Sequence, residues 1–75
     1  MTIQEAINKY YSEFGKDRRV SGYWEGPSSD YVLFVESEGN GIIDASLFYL
    51  SSNGIRAVNP INSPIKLDEK ARKRV

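Results

Sequence analysis

The chain contains no cysteine and no histidine. The first absence excludes disulfides and thiolate metal sites as a structural brace. The two together remove the usual near-neutral general base, the thiol nucleophile and the commonest transition-metal ligands. No apolar run approaches the roughly 18 residues of a membrane span, and the start of the chain lacks a basic-then-apolar signal segment. Asn62-Ser63-Pro64 lacks the third residue of a glycosylation acceptor. These absences lead us to expect a cytoplasmic protein with no membrane partner.

Net charge is also missing: ten basic side chains offset ten acidic ones. That balance argues against strong non-specific nucleic-acid binding, which needs a basic surface. The charge is unevenly placed. Residues 1–65 hold five basic and eight acidic groups, while residues 66–75 hold five basic and two acidic. The basic end reads either as a docking tail for an acidic partner or as a solvated terminus.

What remains in 75 residues is one small domain. A chain of this size buries only about 60% of its unfolded surface. Oligomerisation or a bound partner often serves such domains in place of a covalent brace.

Residues 2–15 read as an amphipathic helix. Ile3, Ala6, Ile7, Tyr10 and Phe14 fall on one stripe at helical spacing, with Tyr11 at its border. Thr2 and Glu5 form a Thr-x-x-Glu capping box, and Gly15 suits the closing position. Strands follow over residues 18–25, 31–37, 45–51 and 55–58. Between them lie Gly26-Pro27-Ser28-Ser29-Asp30, the loop Glu38-Gly39-Asn40-Gly41 and a two-residue Asn53-Gly54 hairpin turn. Residues 59–64 carry two prolines and two asparagines and read as a linker or irregular wrap. Beyond them, Leu67, Ala71 and Val75 make a thin helical stripe that Ser63 or Asp68 would cap.

The expected fold class is α+β: an N-terminal helix packed on a three- to four-stranded antiparallel meander, with a polar C-terminal tail or short helix. Residues 1–59 form the helix-plus-sheet domain, and residues 60–75 the linker and basic tail.

Strands 31–37 and 45–50 are apolar on both faces, where a one-sided sheet alternates apolar with polar. Leu33 and Val35 share one face with Val32 and Phe34 on the other; Leu47 and Tyr49 likewise oppose Phe48 and Leu50. One helix covers one face. The other is expected to lack comparable cover, and exposed apolar patches of several hundred Å² usually mark an interaction site.

The helix, the run Tyr31-Val32-Leu33-Phe34-Val35 and the closing Ser51-Ser52-Asn53-Gly54-Ile55-Arg56-Ala57-Val58 resemble the PepSY-type unit over residues 3–59. Certain small bacterial immunity proteins are similar. The resemblance implies an inhibitor-like or protein-binding role and carries over no site residue.

Glu25 with Asp30 and Glu36 with Asp44 are the carboxylate pairs open to acid–base work; both also read as solubilising turn residues. Oxygen ligands from Glu36 to Asp44 with Gly41 at the sixth position echo a calcium loop, and a hairpin turn accounts for them better. We expect neither catalysis nor a cofactor.

The aromatic residues Tyr23, Trp24, Tyr31, Phe34, Phe48 and Tyr49 are the candidate partner-binding set. Large aromatic area favours interface centres, and Trp24 is equally readable as a core anchor under the helix. The expected function is non-enzymatic protein binding, as an inhibitor or immunity-type protein masking a partner surface, or as a homodimer. The alternative is a single-stranded nucleic-acid module, in which bases stack on these rings beside Arg18, Arg19, Arg56 and the basic tail.

Overall fold

The computed structural model describes residues 1–39 and 42–75, with side chains described for all of these but 38, 39, 42 and 43. Helix α1 spans Ile3–Phe14. Thr2 caps it: its hydroxyl accepts from the Glu5 amide at 3.2 Å, and the Glu5 carboxylate accepts from the Thr2 amide at 2.9 Å. That hydrogen bonding holds the Glu5 carboxyl below its ordinary range, so its contribution is lost as pH falls. Gly15 closes the helix, donating to the Tyr11 carbonyl at 2.9 Å. Ala6, Ile7 and Tyr10 are the buried stripe. Phe14 is not: its ring lies against Tyr10 and Phe48 but stays 48% exposed at the end of the helix–sheet contact.

Among the described residues the sheet has five antiparallel strands, β1 (Arg19–Glu25), β2 (Tyr31–Gly39), β3 (Ile42–Ser51), β4 (Gly54–Val58) and β5 (Lys73–Arg74), in the order β4-β3-β2-β1-β5. The expected meander of four is present, and the basic tail adds a two-residue strand on the outer edge of β1. The β2–β3 ladder extends to the Gly39–Ile42 pair, where the sequence suggested a loop from residue 38. Asn40 and Gly41, at the centre of the calcium-loop echo, lie outside the described residues.

Two turns differ from simple propensity. Ser51 pairs with Gly54, so Ser52 and Asn53 form the β3–β4 turn, one residue earlier than Asn53-Gly54. Only Gly54 takes positive φ there, at 127°, a conformation glycine adopts without cost. In the β1–β2 turn, Ser29 takes φ 57° and the Gly26 amide bonds the Asp30 carbonyl at 2.8 Å.

Alternation along the strands divides the interior into two layers. Helix α1 covers Val20, Tyr31, Leu33, Val35, Phe48 and Leu50. The second face carries Trp24, Val32, Phe34, Leu47, Tyr49 and Val58, and here the sequence expectation needs correcting. The C-terminal segment crosses this face, buries Ile65 and lays Leu67 against it. It does so as irregular chain with a single 3-10 turn at Glu69–Ala71 capped by Asp68, not as a helix. Ala71 and Val75 are exposed, so the stripe of Leu67, Ala71 and Val75 does not exist. No helix among the described residues is long and apolar enough to cross a membrane.

Candidate functional site

The six candidate aromatics do not share a surface. Tyr23, Tyr31 and Phe48 face α1: Tyr31 and Phe48 are buried, and Tyr23 packs edge-on against Tyr31 at 6.0 Å. Their place on that face follows from the period of two along a strand, and Phe48 also reaches the end of β4 beside Val58 and Leu47. Trp24, Phe34 and Tyr49 lie on the second face. Trp24 is a core anchor, 3% exposed, beneath the C-terminal segment and not beneath the helix. Its indole Nε1–H donates to the Asp68 carbonyl at 2.9 Å, which fastens that segment in place. Phe34 and Tyr49 stay half-buried.

Cations sit over these rings. The Arg72 guanidinium is 5.1 Å from the Phe34 centroid and 6.0 Å from that of Trp24; Arg56 stands 5.4 Å from Tyr49. Arg18 donates to the Ser46 hydroxyl at 3.1 Å. The basic tail is thus tied to the body, with Lys73 also meeting Glu25 at 3.5 Å. Exposed pairs of that kind contribute at most about 1 kcal/mol.

Neither carboxylate pair assembles. Asp44 stands opposite Ser37, while Glu36 stands opposite Ala45, so the two project from opposite faces. Glu25 sits opposite Tyr31, but Asp30 turns to the second face, where it is buried and accepts from the Tyr49 hydroxyl at 2.7 Å. A bound proton on Tyr49 is favoured by that bond first and by desolvation second, which pushes its phenol up; burial does the same at Tyr10 and Tyr31. Neutral phenols are thus stabilised by folding, so stability should fall as pH climbs past the ordinary phenol value of about 10. Urea midpoints compared between about pH 9 and about pH 11 should drop, and by less in Tyr49→Phe. A midpoint that stays level, with the Tyr49→Phe slope unchanged, would contradict this reading of the Asp30–Tyr49 contact.

Among the described residues, a groove of about 710 Å³ with a mainly apolar lining opens at the end of β4. Strand β4 pairs only with Leu47–Ser51, half the length of β3, because Pro60 has no amide proton for a further rung and the chain turns away. Asn59 and Asn62 clasp the turn: the Asn59 Oδ1 accepts from the Ile61 and Asn62 amides at 3.0 Å, and the Asn62 Oδ1 from the Asn59 amide at 2.8 Å. Phe34, Ala45, Leu47 and Val58 line the groove from the sheet, Leu67 and Pro60 from the segment that crosses it, with Arg18 and Glu69 at its rim. Of the candidate aromatics, Trp24, Phe34 and Phe48 contribute to this lining, while Leu47, Val58 and Leu67 were outside the set. An aromatic inventory passes over aliphatic residues, although the two-sided run 45–50 did single out Leu47.

No family model, curated protein or solved structure matches this chain. The chemistry of the groove therefore carries the functional argument.

Proposed function

We propose that this is a non-enzymatic protein-binding domain of the cytosol, whose contact surface is the groove at the end of β4. The observation that supports this most is an apolar cleft formed jointly by the sheet and the C-terminal segment, with half-buried Phe34, Leu47 and Val58 on one wall. Open apolar surface of this kind is retained where a partner covers it. An inhibitor or immunity-type action, masking a surface on the partner, suits a domain this small. The proposed kinship with PepSY-type units rests on the helix-then-meander order, the Tyr31–Val35 run and the closing Ser51–Val58 segment.

A homodimer packed face to face has less support, because the C-terminal segment already occupies the centre of the second face. Base stacking also has less support, since guanidinium groups already stand over Phe34 and Tyr49. A photo-crosslinking amino acid at Val58 should give a discrete protein adduct in the source cells, lost with Leu47→Asp; the same probe at Lys9 should not. Circular dichroism shows whether Leu47→Asp stays folded. Labelled oligonucleotides should show no salt-dependent anisotropy change. Absence of any Val58 adduct, or tight salt-sensitive oligonucleotide binding, would turn the assignment towards nucleic acid or away from binding altogether.

A further inference from the structure

We infer that the groove receives an extended strand from a different protein, added to the bare edge of β3 with a basic residue opposite Asp44. This deepens the protein-binding reading and rests on it. Residues 42–46 of β3 pair with β2 on one side, and no described strand pairs with them on the other. Such an edge offers a row of unpaired amide and carbonyl groups, a template for strand addition.

The side chains around the edge favour a strand over a helix as occupant. On the second face stand Phe34, Leu47 and Leu67; on the helix face, at the same end of β4, stand Phe48 and the half-exposed Phe14. A helix laid in the groove reaches only one of these sets. A strand in line with β4 sends alternate side chains to both.

Charge decides between another protein and a second copy. Asp44 is exposed at the middle of the bare edge, opposite Ser37. Two copies overlapping fully along residues 42–46 about a two-fold axis would set Asp44 against its own twin. Like charges directly opposite destabilise a strand pair, and an opposite charge stabilises it. The occupant is therefore a heterologous strand, apolar on both sides, with Lys or Arg at its centre.

The probe is the capped peptide Lys-Val-Val-Lys-Val-Val-Lys, compared with the same peptide carrying Glu at its centre. Binding is followed by fluorescence anisotropy and by amide shifts at residues 44–48 of the full chain. The central-Lys peptide should bind about fivefold more tightly, and Asp44→Lys, at an exposed site, should reverse the order. N-methylation of alternate peptide amides should abolish binding in one phase and spare it in the other, because only one phase faces β3. Equal binding by both phases, or indifference to Asp44→Lys, overturns strand addition and leaves the groove assignment standing. No binding at millimolar peptide overturns it too, while the Val58 crosslink judges the groove separately.

Discussion

Replacing Trp24 with alanine should cost about 3–5 kcal/mol, the range for truncating a buried Trp or Phe. A domain of 75 residues commonly has on the order of 4–11 kcal/mol in total. The substitution therefore removes a large share of the fold's stability. Two losses combine: the packing of the indole against Val32 and Ile65, and the hydrogen bond from Nε1 to the Asp68 carbonyl. Trp24→Phe separates them by keeping most of the packing, and should cost less. Urea unfolding followed by circular dichroism is the measurement. If Trp24→Ala unfolds at the wild-type midpoint, the second face is not a core layer.

Truncation before Pro64 should have an effect of similar size. It removes Ile65 and Leu67, each contributing up to about 1.5–3 kcal/mol if fully buried, and the half-buried Leu67 less. It also removes the Trp24 acceptor and strand β5. The shortened chain should expose Trp24, Val32 and Phe34, bind a hydrophobic dye and aggregate at micromolar concentration. Removing residues 73–75 alone takes only a two-residue strand and an exposed ion pair, so it should be far milder. A chain ending at Ser63 with native tryptophan fluorescence and unchanged stability would show that the segment merely rests on the sheet. Deletion of residues 66–75 is consequently a poor test of charge alone, because it takes Leu67 and the Asp68 carbonyl with it.

Close approach adds a constraint at the other end of this layer. A Cβ on Gly26 would run into the Asp30 carboxylate and come within 2.9 Å of Ile65 Cδ1. The first turn and the C-terminal segment meet there with no room for a side chain.

The helix was legible because its signals agree: capping box, apolar stripe and closing glycine all end within one residue of the observed limits. The alternation of Leu33 and Val35 against Val32 and Phe34 likewise gave both faces of β2 correctly. The cover of the second face was not legible. Ile65 lies between Pro64 and Lys66 in an irregular segment, where no periodicity marks it as buried. The regular spacing of Leu67, Ala71 and Val75 suggested a helix that the chain does not form. The β3–β4 turn slipped by one residue because its central residues, Ser52 and Asn53, do not take the positive φ that an Asn-Gly hairpin turn uses; Gly54 alone takes it, as the first residue of β4. The groove was only half legible. Its walls meet through a crossing of residues far apart in sequence, whereas the two-sided apolar runs that imply it are local.

The Asn59–Asn62 clasp has a wider meaning for how this molecule is put together. Within a few residues it converts a rim of the sheet into the start of a lid, so one corner sets both where pairing stops and where wrapping begins. Any change in the number of residues at that corner would slide Ile65 off its seat, and the geometry of the cleft would change with it.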